Sequence, residues 1–138
     1  MTAKLTRARD WRARLSSLIE QRRRVPYTEE ANCALFMADA VLAMTGEDLA
    51  APFRGKFKTI AEGDALLKAS GFADLPSYLA AQFEEINPVF ARVGDVMLFA
   101  VDQGWAGGIV NGERVTLLGL KGLGTMPRGQ GKRAFRVG

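Results

Sequence analysis

Eleven of the fifteen glycines fall at or after Gly94, and this break in composition divides the chain into two kinds of local structure. Before it run long apolar stretches at helical spacing. After it come short segments rich in Val, Leu, Ile and Phe, punctuated by turn residues. Helices followed by strands, without alternation, predict an α+β architecture whose sheet is antiparallel. The 138 residues, 48% apolar and 25% charged, suit one compact domain able to bury a core without metal or disulfide.

The helical part is bounded by recognisable signals. Trp11, Leu15, Leu18 and Ile19 predict an amphipathic first helix from Thr6 to about Arg24, ended by Val25 and Pro26. Arg22, Arg23 and Arg24 then lie in its last turn, where cations suit the helix dipole. A loop from Pro26 to Ala31 leads to Asn32, an N-cap residue, and to a nearly all-apolar helix from Cys33 that Gly46 closes. Pro52 to Lys58 is expected to be loop. Thr59 and Glu62 have capping-box spacing and open a third helix that Gly71 ends. The fourth is predicted from Asp74 or Leu75 to Glu85, with Pro76 in its first turn and Leu79, Phe83 and Ile86 on one face.

In the second part, Asp95–Val101, Trp105–Val110 and Glu113–Leu118 are predicted strands, the last two joined by a hairpin at Asn111-Gly112. Gly119 to Gly131 is expected to be a mobile or partner-ordered loop, and Arg133 to Val137 a final strand.

Histidine is absent. The chain therefore supplies no imidazole as base, proton shuttle or ligand, which removes self-contained Ser-His-Asp and Cys-His sites and most zinc sites. No cofactor or metal is expected. Cys33 is the single cysteine, at a helix start where amide groups lower a thiol pKa and favour an oxyanion. Equally, a free cysteine often packs as a small hydrophobe. Asp39 lies six residues on, roughly two thirds of a turn from the Cys33 face, and does not replace a base. Asp95 reads as a strand-start cap. The glycine-rich segment lacks the Gly-Lys-Ser/Thr ending of a phosphate loop, and Trp11, Trp105 and Phe135 read as core or interface anchors.

Charge is segregated. Residues 1–24 carry a net +6, residues 121–138 a net +5 and the middle −7. Basic ends on an acidic body suit nucleic acid or docking onto acidic neighbours. The aromatics are not interleaved with the arginines, which favours docking. A stretch of 18 apolar residues and a secretory signal are both lacking, so a soluble, cytoplasmically made protein without membrane contact is expected.

Asn32-Cys33 with its apolar helix, then Arg92-Val-Gly-Asp-Val-Met-Leu-Phe99 and Ala106-Gly-Gly-Ile-Val-Asn-Gly112, resemble the NlpC-type papain-like cysteine peptidases of bacterial cell walls. More closely, Trp11, Pro26-Tyr27, Asn32-Cys33, Ala38-Asp39-Ala40-Val41, Thr45-Gly46, Phe53-Arg54-Gly55 and Gly94-Asp95-Val96 follow the order of a family of small phage and prophage tail-module proteins of that fold. The resemblance spans Trp11 to Val137. It implies a papain-like NlpC-type fold over residues 1–138 and Cys33 at the nucleophile position. It also implies Ala106 where those peptidases place histidine, and Asn32 where they place aspartate. Without acid and base the reaction slows by several orders of magnitude, so Cys33 is expected to be vestigial. The expectation is a virion protein, a structural or assembly component of a phage tail tip or hub, partnered by hub, distal tail, tape-measure or baseplate proteins. The alternatives are a peptidoglycan hydrolase that uses Cys33 with a partner's base, and a nucleic-acid-binding module.

Overall fold

A computed structural model of the chain describes residues 5–28, 32–102, 104–119 and 121–138. Four helices come first: α1 (Trp11–Arg22), α2 (Cys33–Thr45), α3 (Ile60–Ala69) and α4 (Leu75–Gln82). Strands follow as β1 (Glu84–Ile86), β2 (Val96–Val101), β3 (Gly104–Asn111), β4 (Arg114–Gly119), β5 (Gly122–Pro127) and β6 (Arg133–Arg136). They form one antiparallel sheet in the order β1-β6-β2-β3-β4-β5. The α+β architecture is the expected one.

Local chemistry sets most of the boundaries. Asn32, Thr59 and Asp74 are extended and accept hydrogen bonds from the backbone N–H of Leu35, Glu62 and Ser77, which caps α2, α3 and α4. Gly46 ends α2 at φ 84°, a left-handed conformation suited to glycine. Helix α1 is shorter than expected, because the chain before it is engaged elsewhere. Ala8 N–H donates to Met44 O (2.7 Å), and the Arg7 guanidinium donates to Val137 O (2.6 Å), Val93 O (2.7 Å) and Asp95 Oδ1 (2.9 Å).

Two expected boundaries are corrected. Helix α4 stops at Gln82, not Glu85, because Phe83 turns extended and Glu84–Ile86 pair with Arg136–Ala134 of β6. Leu79 and Phe83 do share a buried face. The expected loop from Gly119 to Gly131 instead contains β5, whose six residues pair in register with β4, followed by a 3₁₀ turn at Arg128–Gln130. Arg128 fixes that turn by donating to the carbonyls of Gly112, Pro88 and Ala91. The Asn111-Gly112 hairpin is present; Arg114 pairs with Asn111, and Gly112 takes φ 77°.

The sheet has a core on each face. Val96, Leu98, Ile109, Leu118 and Phe135 pack under α1 and α2, while Met97, Phe99, Val110, Val115 and Ala134 pack on the opposite face. Gly107 brings α2 down onto β3, since a Cβ there would lie 2.6 Å from Leu98 and 2.7 Å from the Met37 sulfur. Gly108 does the same for β4, whose Thr116 carbonyl occupies the place of a side chain.

Fully buried Asp95 fastens the termini to this sheet. Its carboxylate accepts from Arg7, from Arg92 N–H (2.9 Å) and from Val137 N–H (3.0 Å). The cap expected there is real, and it also binds both ends of the chain.

Candidate functional site

Cys33 is the first residue of α2, partly exposed, with its thiol against the backbone of Gly107 and the amides of Ala34 and Cys33 itself. Burial pushes the thiol pKa up, and the three backbone contacts offset this only in part. The expected lowering by the helix end is overturned: desolvation disfavours the thiolate more than the amides favour it.

The residue of β3 that faces Cys33 is Gly107, not Ala106. Cross-strand partners share a face, and Leu98 opposes Gly107 whereas Phe99 opposes Ala106. Leu98 belongs to the core beneath the helices and Phe99 to the core on the other side. Ala106 therefore points away from Cys33. Trp105, one residue earlier, lies on the helix side and lines the same cavity as Cys33.

That cavity, about 630 Å³, is an open cleft between α2 and α3, lined also by α4 and the β2–β3 hairpin. Its walls include Tyr27, Phe53, Phe57, Tyr78 and Trp105. Tyr78 is held edge-on by Phe53 and Phe72, with ring centroids 5.4 and 5.0 Å away. Its hydroxyl donates to Leu49 O at 2.6 Å, and burial raises its pKa, so this phenol is a poor proton donor to a substrate. Asp64, Lys68 and Asp74 line the cavity from exposed positions at its mouth.

Asp39 lies elsewhere, as its helical position required. It pairs with Arg22 at 2.6 Å and Arg54 at 2.5 Å, and Arg54 also holds Asp48 at 2.8 Å. These ion pairs fasten α1 and the segment around residue 54 to α2, on the flank of a smaller cavity of about 230 Å³. Among the described residues no three Cys, Asp or Glu side chains come together as a metal site. Nor is any described helix long and apolar enough to cross a membrane.

Sequence reasoning missed the cavity and the placement of Trp105. A usable signal was the run Ile60, Gly63 and Leu67, at i, i+3 and i+7 on α3, which gives that short helix an apolar stripe.

Residues 6–137 match the model of a family described as "Domain of unknown function (DUF6950)". No curated protein matches the chain.

Proposed function

The chain belongs to the DUF6950 family, and for this member we propose a catalytically silent domain of NlpC-type, papain-like fold that serves as a structural or assembly component of a bacteriophage tail. The observation that carries the silent half is the setting of Cys33. Burial raises the pKa of its thiol, the β3 residue against it is Gly107, and the Trp105 indole, not an imidazole, lines the shared cavity from the helix-facing side of β3. A cysteine peptidase needs a thiolate, an acid for the leaving amine and a base for the attacking water. The chain has no histidine to supply the last two. Supporting the tail half is the ordered run of short motifs from Trp11 to Gly94-Asp95-Val96 that resembles phage tail-module proteins. On this reading the protein is made in the host cytoplasm and ends in the virion, at the tail tip or hub, against hub, distal tail, tape-measure or baseplate proteins.

Quantitative mass spectrometry of purified particles tests the proposal. A tail component is recovered at a fixed stoichiometry relative to the tail-tube protein. Recovery from lysates but never from particles would overturn it.

One observation favours a second reading. Cys33 opens onto the 630 Å³ cavity instead of being sealed in the core, as a hydrolase completed by a partner's base would require. Peptidoglycan incubated with wild type or Cys33→Ala, each with and without neighbouring tail proteins, separates the two. Fragment release that depends on Cys33 would establish the hydrolase.

A further inference from the structure

Helix α3 turns its apolar stripe toward the cavity, where the Phe57 ring lies over Gly63. Ile60, Gly63 and Leu67 all face the cavity, none of the ten residues of α3 is buried, and Ile60 remains 39% exposed. An amphipathic surface helix is ordinarily held by packing that stripe on a core. Here the opposing wall is α2, with the cavity between them. The turns on either side contain Gly55 at φ 73° and Gly71 at φ 95°, and nothing lies within 4 Å of the position of a Cβ at either. No packed atom opposes a change of backbone direction at these two glycines, while Phe53 and Phe72 beside them stay anchored on Tyr78.

We propose that this cavity is a binding site for a small, uncharged, ring-bearing molecule, and that α3 is the wall that closes on it. Its volume lies within the range of small-molecule sites. Aromatic walls favour stacked or edge-on rings. The ionisable carboxylates and ammonium of the lining are exposed at the mouth, where Asp64 and Lys68 stand one helical turn apart. The interior thus offers no countercharge to an anionic or cationic ligand. The inference goes beyond the tail reading and does not depend on it.

The probe is N-phenyl-1-naphthylamine, neutral and fluorescent in apolar surroundings. The expected result is saturable binding of one probe per chain, with amide exchange across residues 60–69 slowed at least tenfold. The anionic analogue 8-anilinonaphthalene-1-sulfonate should bind at least tenfold more weakly. Gly63→Phe, whose new Cβ lies 3.4 Å from the Phe57 ring, crowds the cavity from α3 together with that ring, and Ala73→Trp obstructs its mouth from an exposed position. Either should abolish binding while the thermal midpoint is kept, and Ala73→Trp covers the event that Gly63→Phe fails to fold. The proposal is overturned by any of four outcomes: no saturable binding, equal affinity for the anionic probe, unchanged affinity in both folded variants, or unchanged exchange in α3. A cavity filled instead by a second copy would show a concentration-dependent mass in light scattering and no probe binding, which also overturns it.

Discussion

The amide end of α2 favours a thiolate at Cys33, and a helix N-terminus can lower a cysteine pKa considerably. Yet the thiol is removed from water between α2 and the Gly107 backbone, and burial outweighs the amides. At neutral pH the group is therefore a thiol, and its nucleophilicity is that of the small thiolate fraction. Alkylation by iodoacetamide at pH 7 is expected to run slower than for free cysteine. A rate equal to or above that of the free amino acid would contradict the account. Asp95 presents a different balance at the same scale. It is fully buried, but its two oxygens accept three hydrogen bonds, one of them from Arg7. Removing one partner of such a pair leaves the other uncompensated, at a cost of roughly 3–5 kcal/mol. Asp95→Ala should lower the urea midpoint accordingly, and Asp95→Asn, which keeps an acceptor, by less. Loss of under about 1 kcal/mol in Asp95→Ala would show that the carboxylate does not fasten the termini.

Along β3, alternation decides what an element can offer the site. Trp105, Gly107 and Ile109 face the helices, while Ala106, Gly108 and Val110 face away. A one-residue slip in matching this strand to another sequence exchanges the two faces, and the Gly-Gly pair accommodates either register. Trp105→His should therefore place an imidazole on the Cys33 side and accelerate alkylation near pH 7 by ion-pair formation, whereas Ala106→His should leave the rate unchanged. The reverse result would mean that the faces are misassigned. The same distinction between local and distant information explains what the sequence revealed. Asn32, Thr59, Asp74 and Gly46 act within one turn, so α2, α3 and the start of α4 could be read directly. The end of α4 could not. Leu79 and Phe83 continue the helical period, but Glu84–Ile86 are captured by β6, about fifty residues away. Strand β5, Gly-Leu-Gly-Thr-Met-Pro, has little strand propensity and is held by backbone pairing with β4. Cys33 and its helix were legible as a candidate site, but the cavity was not, because a gap between α2 and α3 leaves no contiguous signature.

For the whole molecule, part of the segregated charge serves as cross-bracing between the termini and the body. Terminal Arg7, Arg22 and Arg133 pair with Asp95, Asp39 and Glu85 of the acidic body, and Arg128 binds three backbone carbonyls. This ties stability to pH at both ends of the scale. Asp48, Asp74 and Glu85 all titrate below the ordinary carboxylate range, held there chiefly by hydrogen bonds from Arg54, Ser77 and Arg133 respectively. A depressed carboxylate contributes stability that is present above its unfolded pKa, roughly 4, and lost as the pH falls through the folded value. Cys33 and Tyr78 are raised by burial. Their contribution is full below the unfolded values, roughly 8.5 and 10, and is lost as the pH rises through the folded ones. The thermal midpoint should thus be flat between about pH 5 and 8 and fall on both sides. Glu85→Gln should shrink the acid fall, most visibly at low ionic strength because that pair is exposed to screening. Cys33→Ala should remove the first part of the alkaline fall, leaving the part due to Tyr78. An alkaline limb that begins at the same pH with and without the thiol would show that Cys33 is not the group whose ionisation opposes folding.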